Sequence, residues 1–219
     1  GGVLSSAANA RRIRDYVLGL PAADADRPIV LFGYSKGAPD MLRAVVDYPE
    51  LRERVAAVVS VAGAVGGSPL ANGRDESELT LLTRLPRADC DAGDRGALHS
   101  LRSATRRNWL AENPLPPEVR YFSLVAVPEP DRVSTGLRPS YRKLSEIDPR
   151  NDGQLLFFDQ VIPGATLLAY LNADHWAMGV PVTTQGGFAE STFANRNEFP
   201  RAALMEALMR YLEEALAAP

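Results

Sequence analysis

Pro28-Ile29-Val30-Leu31-Phe32-Gly33-Tyr34-Ser35-Lys36-Gly37 decides the fold of this chain. Residues 28–32 form a short, uninterrupted apolar run, as expected of a strand buried on both faces of a parallel sheet. Gly33 to Gly37 reads as a turn. Ala38 to Tyr48 then reads as a helix, with Met41, Leu42, Ala44, Val45 and Val46 apolar and Pro39 tolerated in its first turn. Upstream, Ala10, Ile13, Val17 and Leu20 recur at helical spacing, with Ser5 or Ser6 as N-cap and Gly19 and Pro21 at the end. Downstream, Val55 to Val61 is a second buried strand, followed by a loop from Ala62 to Ser68. Helix, strand, helix and strand joined by short links is the pattern of a parallel α/β sheet.

Further along, the pattern is interrupted. Residues 69–117 are rich in Arg, Asp and Glu and carry no strand signal, so they read as an excursion over the sheet edge, a cap or lid. Among its arginines, Arg84, Arg87, Arg95, Arg102, Arg106 and Arg107 are expected on a solvated surface. Leu101, Trp109 and Leu110 fit short helices and, if the excursion is a lid, would line a pocket beneath it. Val119 to Val127 is the next strand. A second excursion runs from Pro128 to Arg150, with Tyr141 to Ile147 helical, and Leu155 to Val161 is apolar. Thr166 to Leu171 is the last strand, and Pro200 to Ala217 is a closing amphipathic helix.

Bulk composition narrows the classes of function. The 219 residues, 46% hydrophobic and 23% charged, suit one soluble globular domain. A formal net charge of −3 argues against electrostatic nucleic-acid binding. Cys90 is the single cysteine, which excludes an internal disulfide and a multi-cysteine zinc site. No apolar run reaches the length of a membrane span. Lysine occurs only at Lys36 and Lys143 among many arginines and alanines, a composition typical of GC-rich bacterial genomes.

The residues that carry chemistry begin at Ser35. Gly33-Tyr34-Ser35-Lys36-Gly37 is a G-x-S-x-G sequence placed between a buried strand and a helix. Such a turn lifts the serine hydroxyl above the sheet in a strained backbone conformation, with the glycines two before and two after avoiding clashes. It also aims the Lys36 N–H at the place where an oxyanion develops. A serine needs a base. His175, in Asn172-Ala173-Asp174-His175-Trp176 just past the last strand, lies at the same sheet edge as Ser35. The other histidine, His99, falls in the charged excursion and reads as a surface group. The base in turn needs a carboxylate. Asp152, in the turn Asn151-Asp152-Gly153, is preferred, with Asp131 as its rival. Asp148 reads as a helix end, Asp159 lies inside the apolar segment, and Asp174 adjoins the histidine and is expected to point elsewhere.

The order Ser35, Asp152, His175 resembles that of the α/β-hydrolases of the bacterial esterase and lipase type. The elbow, the helix and strand after it, the Asn151-Asp152-Gly153 turn and the Asp174-His175 loop carry the likeness, and Gly66-Gly67-Ser68-Pro69 adds a lipase-like segment. The resemblance implies a serine hydrolase that cleaves a carboxylic ester through an acyl-enzyme, needing neither metal nor organic cofactor, with a small acyl compound as its partner. An acyltransferase or thioesterase would use the same triad, and a non-catalytic hydrolase-like module is the alternative from another class. In that family several strands precede the elbow, and one of their loops supplies the second oxyanion donor. Only one helix precedes residues 28–32 here, so the expectation is the carboxyl-terminal part of a longer hydrolase domain.

Overall fold

The computed structural model describes residues 4–21, 27–73, 94, 96–179 and 199–217. Its backbone runs α1 (Ser6–Leu18), β1 (Ile29–Tyr34), α2 (Gly37–Asp47), β2 (Val55–Val61), α3 (Ala97–Leu101), α4 (Ser103–Glu112), β3 (Arg120–Ala126), α5 (Arg138–Ser145), β4 (Thr166–Leu171), α6 (His175–Gly179) and α7 (Arg201–Ala217). Among the described residues four strands form the sheet, all parallel and side by side in chain order, with β1 and β4 outermost. The Ser5 hydroxyl caps α1 by accepting from the Ala8 N–H at 3.2 Å.

Two apolar layers cover the sheet. On one face Ala10 and Val17 of α1 and Met41, Leu42, Ala44 and Val45 of α2 pack with Val55, Val58, Val119 and Ile162. On the other, Ala177 and Met178 of α6 and Leu208 and Leu212 of α7 pack with Ala57, Val59, Phe122, Leu124 and Leu171. Burial on both faces is why the strands read as continuous apolar runs. Each fully buried Leu or Val contributes roughly 1.5–3 kcal/mol relative to leaving it exposed.

The structure departs from the sequence reading in several places. β1 continues through Gly33 and Tyr34, which pair in register with Ser60 and Val61 of β2, so the turn begins only at Ser35. The second-excursion helix starts at Arg138, because Pro139 suits a first turn, and stops at Ser145, short of Ile147. The apolar segment 155–161 contains the short 3-10 turn Phe157–Gln160. Within it the buried Gln160 side chain both donates to the Ala126 C=O at 3.1 Å and accepts from the Ala126 N–H at 2.8 Å, pairing with the last residue of β3 as a strand would.

Of the first excursion, residues 74–93 and 95, with Arg84, Arg87 and Arg95, lie outside the described residues. The short helices expected around Leu101, Trp109 and Leu110 are α3 and α4. Arg106 corrects the expectation of a solvated arginine. It is 2% exposed, donates from Nε to the Val65 C=O at 3.0 Å and stacks on Trp109 at 4.6 Å, so it pins α4 to the loop after β2. Trp109 and Leu110 are half-buried against the α1–α2 core and not against a pocket beside Ser35. Among the described residues, no helix is long and apolar enough to cross a membrane.

Candidate active site

Ser35 follows β1 directly and has φ of +52°, a left-handed conformation that costs a non-glycine residue about 1–3 kcal/mol. Backbone hydrogen bonds hold it there. Its N–H donates to the Val61 C=O at 3.3 Å, and its own C=O accepts from the Ala38 and Ala64 N–H groups at 3.2 and 2.9 Å. The loop after β2 is therefore a brace for the elbow. That loop is itself strained, with Ala62 at φ of +44°, and a side chain at Gly63 would overlap Ser60 and Ala38. At Gly33 a Cβ would strike the Met41 methyl and the Gly37 and Ala38 backbone, as the motif predicts. At Gly37 it would meet nothing within 4 Å, so the steric reason expected for the second glycine does not hold.

His175 opens α6, beyond the other edge of the sheet. Three strand spacings separate β1 from β4, about 14 Å. The loop Asn172–Asp174 nevertheless brings the imidazole back to the elbow. His175 Nε2 lies 2.9 Å from Ser35 Oγ, and Nδ1 lies 2.7 Å from Asp152 Oδ2. With the proton on Nδ1, the ring donates to Asp152 and accepts the serine O–H at Nε2. Asp152 is fully buried, and its other oxygen accepts from the Gln154 and Leu155 N–H groups at 2.8 and 2.7 Å. The Asp152 C=O also accepts from the His175 N–H at 2.9 Å, so one residue holds the histidine by backbone and side chain together.

The other carboxylates stand apart from the imidazole. Asp131 is exposed in the 3-10 turn Pro130–Arg132. Asp148 pairs with Arg150 at 2.7 Å. Asp159 is buried, beside Arg107 at 3.4 Å, and burial raises its pKa against the opposing pull of that arginine. Asp174 turns away, as expected from its place next to the histidine. It accepts from the Ala177 N–H at 2.8 Å and the Ser134 N–H at 2.6 Å, capping α6 and tying it to the loop after β3. His99 is an exposed residue of α3.

Lys36 begins the turn into α2, and its backbone N–H is adjacent to Ser35. Its side chain folds away to Asp40, 2.8 Å distant and nearly buried, and Asn9 donates to the same carboxylate at 2.7 Å. A cavity of about 670 Å³ lies beside Ser35, Lys36 and Gly37, walled by Ile13 and Tyr16 of α1, Met41 of α2 and residues of the edge strand β1.

No family model and no curated protein matches the chain. A solved structure does: a metagenomic carboxyl esterase superposes on 98% of this chain at a TM-score of 0.90 with 44% sequence identity. The chain has the α/β-hydrolase fold. The chain spans 64% of the length of that esterase. A Bacillus licheniformis lipase in its mature form is 22% identical, with a TM-score of 0.54 over 78% of this chain and 64% of its own. A Staphylococcus hyicus lipase is 11% identical, with a TM-score of 0.59 over 87% of this chain and 71% of its own. These two share the fold.

Sequence reading missed two contributors to the site. The Ala64 brace has no motif of its own, although the small residues Ala62-Gly63-Ala64 hint at close approach. Tyr34 stood in a variable position of the motif, and its hydroxyl donates to the His175 C=O at 2.6 Å.

Proposed function

We propose that this α/β-hydrolase cleaves a carboxylic ester by way of an acyl-enzyme, with Ser35 as nucleophile, His175 as general base and Asp152 as the carboxylate that orients the histidine. The continuous chain of hydrogen bonds from Ser35 Oγ through His175 to Asp152 carries this reading. The likeness to a carboxyl esterase agrees with it.

In the first half-reaction Ser35 Oγ attacks the acyl carbon while its proton moves to His175 Nε2, giving a tetrahedral oxyanion and an imidazolium beside Asp152. The Lys36 N–H, at the start of α2, donates to that oxyanion. Collapse breaks the bond to the alcohol oxygen, which leaves with the proton from Nε2. Water then repeats the sequence: it loses a proton to Nε2, attacks the acyl carbon and displaces Ser35 Oγ, which takes the proton back. The products are the alcohol and the carboxylic acid, and the side chains end as they began.

A cap role for the excursion is supported by its described part, α3 and α4, which the Ser68–Arg102 bridge and the Arg106–Val65 hydrogen bond hold to the loop that braces the elbow. A deletion inside the excursion that leaves the preferred acyl length unchanged would remove the cap role.

The decisive experiment is labelling with a fluorophosphonate, followed by p-nitrophenyl ester hydrolysis. Wild type is expected to label at Ser35 and to turn over ester, and Ser35→Ala to do neither. Equal labelling of the two proteins would overturn the assignment.

A further inference from the structure

Tyr34 is the residue between the first glycine of the elbow and the nucleophile, and three observations tie it to the opposite arm of the site. Its hydroxyl donates to the His175 C=O at 2.6 Å. Its ring lies 5.0 Å from the imidazole, tilted by 33°. A Cβ on Gly179, at the far end of α6, would run into the same tyrosine ring. Tyr34 therefore rests against both ends of α6 and grips its first carbonyl.

α6 has only five residues, far below the roughly 12–15 at which a helix begins to hold itself. Its position depends on ties to the rest of the molecule. Asp174 caps it, and Asp152 holds its first N–H. Both ties come from the β3–β4 side of the sheet. Tyr34 is the tie from the β1 side, and it leaves the chain one residue before Ser35. Any shift of α6 relative to the elbow changes the distance between Nε2 and Ser35 Oγ, the distance that proton transfer depends on.

We infer that Tyr34 is a positioning residue, a tether that sets the His175 imidazole against Ser35 by linking the elbow directly to the backbone of the histidine helix. The phenol suits this work. Burial, with Asp152 and Asp174 nearby, raises its pKa above the ordinary tyrosine value, so the hydroxyl stays protonated and remains a donor. Glycine at position 179 belongs to the same device, because it leaves the ring room to lie flat against the helix. The kinetic consequences rest on the hydrolase reading above, whereas the tether itself does not.

The test uses the whole protein and two variants. Tyr34→Phe keeps the ring and removes the donor. Gly179→Ala keeps the donor and displaces the ring. Histidine is well suited to observation here, since only His99 and His175 contribute signals and His99→Gln identifies its own. The imidazole Nδ1 proton facing Asp152 is followed by NMR for its exchange with water, and p-nitrophenyl acetate hydrolysis is measured alongside. Both variants are expected to exchange that proton about tenfold faster or more than wild type, and to lose roughly ten- to a hundredfold in kcat with KM within about twofold. Unchanged exchange in both variants overturns the tether, whatever happens to the rate, because a fall in kcat alone would then come from the cavity wall that Tyr34 also forms. Faster exchange in a protein without Ser35-dependent hydrolysis leaves the tether standing and removes the hydrolase reading.

Discussion

Ser35 and His175 both leave the carboxyl ends of parallel strands, one at each edge of the sheet, yet the two are held by different means. The elbow is a backbone device. Every hydrogen bond that fixes the strained Ser35 peptide runs to another main-chain group, and the nearest side-chain constraint is the lack of one at Gly33. The histidine arm depends mainly on side chains, beside one backbone tie from the His175 N–H to the Asp152 C=O. Asp152, Asp174 and Tyr34, from three separate segments, position a short helix that follows a loop. The difference explains what is tolerant in each. The elbow depends on shape and backbone pairing, and a change there endangers the fold. The histidine arm depends on particular polar atoms, and a change there endangers the chemistry first.

Substitutions in the two arms should separate accordingly. The largest effect is expected at Asp152. Asp152→Asn keeps an oxygen for the Gln154 and Leu155 N–H groups but presents the wrong partner to Nδ1. The kcat for a p-nitrophenyl ester should fall by about 10⁴, with the melting temperature nearly unchanged. Asp131→Asn, on the exposed turn, should leave both untouched, and the reverse pattern would move the acid to Asp131. Next comes the elbow. Gly33→Ala should lower stability by about 1–3 kcal/mol or more in urea unfolding, because the new methyl enters a filled space. Gly37→Ala should change it by no more than about 0.5 kcal/mol, since nothing stands in its way. Equal losses at the two glycines would mean that the elbow is held by something other than packing.

Asp174→Ala sits between these cases. It removes a cap from α6 without touching the imidazole, and should cost about 1–2 kcal/mol in unfolding together with a smaller loss of kcat than Asp152→Asn. The smallest effect is expected at Asp159, whose carboxylate contacts neither Ser35 nor His175. Its folded-state pKa is raised by burial, so the folded protein favours the protonated acid. The wild type then loses stability as pH rises from about 4, the ordinary carboxylate value, through the raised folded value. Asp159→Asn should melt slightly higher than wild type at neutral pH, and the gap should close as the pH is lowered through that window. A gap that widens in acid would reverse the sign of the argument.

The same division decides how much could be read before the structure. The strands, the helix order and the Ser35 elbow are local patterns in which apolar runs and glycines mark their own conformations, and they lie within a few residues of their expected positions. Asp152 and His175 stand out as candidates in the sequence because each lies in a turn at the expected sheet edge, and the structure brings His175 between Asp152 and Ser35. The preference for Asp152 over Asp131 rests on the course of the later loop and not on spacing, since both follow β3; the structure brings Asp152 beside His175 and leaves Asp131 on an exposed turn. Tyr34 gave no signal, because its partner is 141 residues away and is a backbone carbonyl, which no residue type reveals. Arg106 departs from expectation for a related reason. A charge in a charged segment looks solvated until Trp109 and the Val65 carbonyl are seen beside it.

The Lys36–Asp40 pair has a practical consequence for handling the molecule. Only two lysine side chains exist in the sequence, and one of them is tucked against a carboxylate at the start of α2. The other, Lys143, is exposed on α5. Amine-directed coupling through a lysine side chain, to a bead, a dye or a sensor surface, should therefore favour Lys143 over Lys36.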